Sequence, residues 1–413
     1  MKSPMIAAAL AALALSSPSQ AAPRAEPWVA TWAASPEAAD PDPDEPLMKL
    51  QGQTVRERMR LSVGGQRIRV RLSNQYGSAP LTVGAATAAL AIDAASVEPA
   101  SLRSLRFRGS LAVTIPAGAS VLSDPVDLPA PHGAEIGVSL YFPGRVATPT
   151  LHALALKHAV ITPPGDRTHA AHAETEALSE SSILVTQVLT DSRAGQRLVA
   201  AIGDSLTDGD ASTADADRSW PSDLARRLAG GGVSVVNEGI AGNRLLADGP
   251  IASLGVSGLA RFERDILSLP GLTHVIVFEG VNDIGFPGAS RQGFVLADAK
   301  NAPSVGDMIA GYGRLIAMAH ARGVKVIGAT LTPCEGVDMP GYCTEAKNAM
   351  REAVNRWIRT GGTFDGVVDF DAVLRDPAHP SRLLARYASP DHLHPNDAGY
   401  QAMADAVSFK LLR

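Results

Sequence analysis

The chain has 413 residues, 46% of them apolar and 19% charged, a globular composition with material for two or three domains. A formal net charge of -5 and a pI near 6.1 give no reason to expect nucleic acid or an anionic membrane surface as a partner. Aromatic residues are only 5%, too few for a binding surface built on a large aromatic inventory.

Residues 1–27 read as a targeting segment. Lys2 supplies a positive start, and the apolar run from Met5 to Leu15 is too short to span a bilayer. Ser19-Gln20-Ala21 offers small residues for cleavage after Ala21, so residues 1–21 are expected to be a signal peptide. The mature protein is then secreted or periplasmic. No cysteine lies near the cut, which argues against a lipid anchor.

From Trp28 to about Arg193 the pattern is mainly that of strands. Asp40-Pro41-Asp42-Pro43-Asp44-Glu45-Pro46 is an acidic loop whose prolines prevent a compact calcium-binding turn. Arg58–Val63 and Arg67–Leu72 both alternate polar and apolar around Gly64-Gly65, which predicts a hairpin with its arginines on one solvated face. A patch for an acidic glycan is the alternative reading of those arginines. Further strands are expected at Leu81–Ala86, Leu111–Ile115, Val121–Leu128 and Ile136–Phe142, separated by turn residues. This spacing predicts a β-sandwich-like accessory domain over 28–193. Pro163–Ser182 reads as an irregular connection.

The pattern then changes. Val199–Ile202 is an apolar run of buried-strand length, ending in Gly203-Asp204-Ser205-Leu206-Thr207-Asp208-Gly209. Helices are expected at Trp220–Leu228, Gly258–Leu269, Val305–Ala321 and Glu345–Arg359. Strands are expected at Val233–Val236, His274–Phe278, Lys325–Ala329 and Gly366–Asp369. Alternation of this kind predicts an α/β domain with a parallel sheet and crossover helices over 194–413. The strand ends carry small or polar residues, so their loops converge on the rim where such sheets bind ligands. A serine at that rim, before a helix N-terminus, is either a nucleophile or part of a plain polar turn.

Near the C-terminus, Asp391 and His394 lie three apart, within reach in a turn. A serine nucleophile needs an imidazole whose orientation and tautomer are fixed by a third group, and Asp391 can do that for His394. His392 is a competing base. Cys334 and Cys343 bracket a Gly- and Pro-rich loop, and in an exported protein they are expected to form a disulfide; free thiols are the alternative. Two cysteines with no further named ligands do not make a metal site.

Four segments together resemble the SGNH/GDSL hydrolase superfamily: Gly203–Gly209, Asn237-Glu238-Gly239-Ile240-Ala241-Gly242-Asn243, Gly280-Val281-Asn282-Asp283 and Asp391-His392-Leu393-His394-Pro395. The resemblance covers roughly residues 197–413. It implies a three-layer flavodoxin-like fold, and Trp28–Ser35 with the strands after it looks like the extension found in some exported members. Carried onto matching positions, it implies Ser205 as nucleophile, His394 as base and later acid, and Asp391 as its orienter. It also implies an oxyanion hole of the Ser205 and Gly242 backbone N–H groups and the Asn282 side-chain amide. Glu238 and Glu279 are extra acidic residues that would oppose an oxyanion if they lay near it.

The function this implies is ester hydrolysis through an acyl-enzyme, with no metal or organic cofactor. An O-acetyl esterase on polysaccharide fits an exported enzyme with a β-rich extension. A lysophospholipase or short-chain lipase/esterase is the alternative, although no Trp/Phe-rich amphipathic segment is present. A non-catalytic glycan-binding protein is a second alternative.

Overall fold

The computed structural model describes residues 28–40, 46–146, 148–191 and 195–413. The expected signal peptide and residues 41–45 of the acidic loop lie outside the described residues. The first half is built from long alternating strands: β1 (Trp28–Ala33), β2 (Gln51–Arg60), β3 (Gly65–Ser73), β4 (Glu135–Arg145) and β5 (Val185–Asp191). One antiparallel sheet runs β1-β5-β3, with Val126–Ala130 and Ser120–Leu122 also pairing with β3. A second places β4 between β2 and Ala85–Leu90. Val55 and Met59 of β2, Ile68 and Val70 of β3, Val138 and Leu140 of β4, and Val188 of β5 share one core. This is the sandwich expected from the strand pattern.

The hairpin expected at Gly64-Gly65 does not form. β2 and β3 belong to different sheets, and the chain between them crosses from one to the other. The crossing is tied to β1: Ser62 N–H donates to the Thr31 carbonyl (2.8 Å), and Thr31 Oγ1 donates to the Val63 carbonyl (2.7 Å). The glycines serve close approach, not turn geometry. A Cβ on Gly64 would lie 2.3 Å from the Ala130 carbonyl oxygen, and one on Gly65 would lie 1.9 Å from Thr190 Oγ1. The arginines are divided accordingly. Arg58 and Arg60 pair with Glu135, and also with Asp215 and Asp217 of the second half, so Arg58 is largely covered while Arg60 stays partly open to solvent. Arg67 and Arg69 lie over the Trp28 ring.

In the second half, β6 (Arg197–Gly203), β7 (Val233–Gly239), β8 (Leu272–Phe278), β9 (Lys325–Ala329) and β10 (Gly366–Val368) form a parallel sheet in the order β7-β6-β8-β9-β10. Leu198 to Ile202 are fully buried, as a central strand covered on both faces requires. The order reverses at β6, so the rim beside β6 and β8 is the switch point where α/β sheets bind ligands. The fold is flavodoxin-like. Crossover helices start on side-chain caps: Ser304 and Asp307 form a capping box at Val305–His320, and Thr344 caps Glu345–Thr360. Among the described residues, no helix is long and apolar enough to cross a membrane.

The core of the parallel half extends into the first half, taking in Val29, Ala30 and Ala33 of β1 together with Val63 and Leu189. Polar ties cross the same boundary: Ser234 Oγ donates to the Ala30 carbonyl and Val235 N–H donates to Ser62 Oγ, both at 2.7 Å.

One buried acid in the sandwich makes stability depend on pH. Burial pushes the Glu57 carboxyl up to about 8; Ser182 Oγ–H and Ile183 N–H, its hydrogen-bond donors, offset only part of this. A carboxyl bound to its proton more tightly in the folded state stabilises fully below its unfolded pKa. That contribution is lost as pH rises through about 8. Glu57→Gln is expected to match the wild type near pH 5 and to melt at higher temperature at pH 9, where the native acid costs roughly 3–5 kcal/mol. Melting curves across pH check this, and parallel pH dependences in the two proteins would contradict it.

Candidate active site

Gly203 ends β6, and Asp204 caps the short helix α1 (Ser205–Asp208) by accepting the Leu206 N–H at 3.0 Å. This turn puts Ser205 at the rim. On the far side, Asn396 caps the last α-helix, α2 (Asp397–Ala406), and the segment before it carries Asp391 and His394. His394 Nε2 lies 2.8 Å from Ser205 Oγ, and Nδ1 lies 2.6 Å from Asp391 Oδ2. The carboxylate fixes the proton on Nδ1, which leaves Nε2 to accept from the serine.

Asp391 is itself held. Its Oδ1 accepts from Ser389 Oγ (2.6 Å) and from the Leu393 and His394 N–H groups (2.8 and 2.9 Å). Burial works against its charge, but the His394 hydrogen bond and these donors hold its carboxyl well below the usual range. Burial also works against a charged His394; Asp391 and the nearby Asp210 outweigh it and raise the imidazole above 6.5. Asp210 Oδ2 is 3.6 Å from His394 Nε2. His392, in contrast, is exposed, has φ 61°, and makes no hydrogen bond to Ser205 or Asp391 through its side chain.

The three expected oxyanion donors are reached from three strand ends. Among the described residues, neither the Ser205 nor the Gly242 backbone N–H has a hydrogen-bond partner. Gly242 has φ 73°, and a Cβ there would lie 2.7 Å from Leu254 Cδ2, so the loop's path requires glycine. Asn282, after β8, donates from Nδ2 to the Asn243 carbonyl (3.0 Å) and accepts at Oδ1 from Tyr342 OH (2.7 Å). The tyrosine hydroxyl fixes which way the amide faces, leaving one Nδ2 hydrogen for a ligand.

Three supports of this rim were missed in the sequence. Tyr342 is buried and adjoins Cys343, whose disulfide to Cys334 closes the expected loop and anchors the ring under Asn282. Arg261 is fully buried and donates from Nε to Asn243 Oδ1 (2.9 Å), from Nη1 to the Glu238 carbonyl (2.7 Å) and from Nη2 to the Gly203 carbonyl (3.0 Å). The helix expected at Gly258–Leu269 becomes a single α turn followed by a π-helix, Phe262–Leu267, a widening often found beside functional groups. Asp283 accepts the Leu245 and Leu246 N–H groups and holds the chain beyond Asn243. Tyr342 had a signal, its place in a disulfide loop; Arg261 had none.

Glu238 and Glu279 are both buried beneath the rim. Burial, with Asp265 nearby, pushes Glu238 up to about 8, and burial with Asp204 nearby raises Glu279 well above its ordinary range. Burial thus disfavours charge on both carboxyls, and the buried Arg261 guanidinium, 3.5 Å from Glu279 Oε2, offsets what charge they carry.

Residues 201–402 match the model of the GDSL-like Lipase/Acylhydrolase family. This segment is a GDSL-like domain of the SGNH/GDSL superfamily. Among solved structures the chain is similar to a putative lipolytic protein of the G-D-S-L family from Desulfitobacterium hafniense. Identity is 22%, with 51% of this chain and 97% of that one covered, at a TM-score of 0.37. It is similar to the aryl esterase of M. smegmatis at 16% identity, covering 52% and 98%, with a TM-score of 0.41. A carbohydrate acetylesterase family member from Sinorhizobium meliloti aligns at 18% identity, covering 51% and 95%, with a TM-score of 0.39. No curated protein matches.

Proposed function

We propose that the chain is an exported serine ester hydrolase, with residues 194–413 as its catalytic domain and 28–193 as an accessory domain, acting on O-acetyl groups of polysaccharide. The observation that carries this reading is the continuous relay Asp391–His394–Ser205; the Ser205 and Gly242 backbone N–H groups, without a hydrogen-bond partner among the described residues, support it. Ser205 Oγ attacks the ester carbonyl carbon as its proton passes to His394 Nε2. The new oxyanion is held by the Ser205 and Gly242 N–H groups and Asn282 Nδ2. The C–O bond to the alcohol then breaks, and His394 returns the proton to the leaving oxygen. Water repeats the sequence on the acyl-enzyme, releasing the acid and restoring Ser205. The disulfide between Cys334 and Cys343 supports an oxidising compartment.

Asp210 bears on the alcohol. The leaving oxygen must approach His394 Nε2, and Asp210 Oδ2 lies 3.6 Å from that nitrogen, partly open to solvent. A carboxylate there disfavours an anionic alcohol such as a phosphate-bearing headgroup and suits a neutral, hydroxyl-rich one. Asp210→Asn is expected to move the acid limb of the kcat/KM pH profile to lower pH, because it removes a charge that favours the imidazolium. A limb that stays in place or moves up would contradict that role.

One observation favours a second reading, a short-chain lipase. Phe294 and Val295 are exposed on a small hairpin tied to the disulfide loop through Ser290 N–H and the Pro340 carbonyl. A panel of p-nitrophenyl esters of increasing acyl length, run beside acetate release from acetylated xylan and pectin, separates the two. Fastest turnover at acetyl with release from the polymers is expected. Rates that rise with acyl length and increase on lipid vesicles would transfer the reading to the lipase.

A further inference from the structure

The first half of the chain reaches the rim through a buried cluster that the relay does not use. A three-stranded ribbon pairs Thr150–His152 with Glu37–Ala38 and with Ser182–Ile183. It delivers His152 against the end of α1. His152 Nε2 lies 3.1 Å from Asp208 Oδ1, while Nδ1 lies 3.1 Å from the Ser35 carbonyl oxygen and 3.0 Å from Glu37 Oε1. Acceptors face both ring nitrogens, so the arrangement is fully paired only when both carry protons. All three side chains are buried.

Asp208 does not end this chain of contacts. Its second oxygen, Oδ2, accepts the Ala241 N–H at 3.0 Å, and Ala241 immediately precedes Gly242. The same loop is gripped from beneath. Ser35 Oγ donates to Glu238 Oε2 (2.7 Å) and accepts from Arg261 Nη1 (2.9 Å), and Arg261 Nε holds Asn243. Residues 35, 37 and 152 of the first half therefore brace both ends of the Glu238–Asn243 loop.

We propose that His152 is a positioning residue for the oxyanion loop: held by Ser35 and Glu37, it fixes Asp208 against the Ala241 N–H and so aims the adjacent Gly242 N–H at the reacting carbonyl. The inference rests on the hydrolase reading above. On this account the β-rich half completes the site and is more than a separate binding module. An oxyanion donor matters mainly in the transition state, so a misaimed Gly242 N–H lowers kcat and leaves substrate binding nearly unchanged.

The test compares His152→Leu with His152→Gln in the full chain, using p-nitrophenyl acetate well below either melting temperature. Leucine fills the space but donates nothing, whereas glutamine can still donate to Asp208. His152→Leu is expected to lose about ten- to a hundredfold in kcat with KM within about twofold, and His152→Gln to stay within about threefold of wild type. The two variants behaving alike would overturn the proposal, as would a loss expressed in KM or only in melting temperature. If His152→Leu does not fold, the same split is read on Asp208→Ala, which removes the next link; an unchanged kcat there overturns the proposal equally. The hydrolase reading fails separately, through wild-type turnover that survives loss of Ser205.

Discussion

Ser205→Ala is expected to bring hydrolysis below about a thousandth of the wild-type rate while the protein stays folded, because covalent catalysis here depends on a single oxygen. The substitution removes that oxygen and leaves a methyl group in the same space, so the fold loses only the hydrogen bond to His394 Nε2. His394→Ala should fall to a similar level, since the serine then has no acceptor for its proton. His392→Ala should be mild by comparison, because that side chain is exposed and outside the relay. Steady-state rates on p-nitrophenyl acetate check the order. Substantial turnover by Ser205→Ala, or a larger loss at His392 than at His394, would remove the assigned nucleophile or base.

Asn282→Ala is expected to lower kcat about a hundred- to a thousandfold with KM nearly unchanged, equivalent to about 2.7–4 kcal/mol of transition-state stabilisation. The ester carbonyl accepts weakly in the ground state and strongly once it carries the negative charge, so the amide acts mainly in the second state. Tyr342 OH fixes the amide by donating to Oδ1, and the remaining Nδ2 hydrogen is the one available to substrate. Asn282→Asp should be at least as damaging at neutral pH, because a carboxylate would face the oxyanion and would also accept, not donate, toward Asn243. A raised KM with kcat spared would make Asn282 a ground-state binding residue instead.

The parts of the fold legible in the sequence were those with one dominant local cause. The apolar run Val199–Ile202 read as a buried strand and lies inside one covered on both faces, and the Lys325–Ala329 strand lies where its pattern puts it. The hairpin at Gly64-Gly65 failed because a glycine pair has two uses, a tight turn or close packing, and neighbours far along the chain selected the second. Ser205, Asp391, His394, Gly242 and Asn282 stood out as four short blocks, and the structure joins Ser205, His394 and Asp391 by hydrogen bonds, while Gly242 and Asn282 follow the ends of the strands that flank β6. Arg261 and His152 carried no such mark. Each is a single polar residue in an ordinary stretch, and its partners come from strands or loops up to 226 positions away.

The central claim is that Ser205 is a nucleophile activated by His394, and reaction with an alkyl phosphonate fluoride tests it most directly. The phosphorus accepts the serine oxygen and expels fluoride, so only an activated hydroxyl is labelled quickly. The account predicts one adduct per chain by intact mass, mapped by peptide analysis to Ser205, with no adduct on Ser205→Ala and very slow labelling of His394→Ala. Labelling of Ser205→Ala at the wild-type rate, or an adduct on another residue, would contradict it.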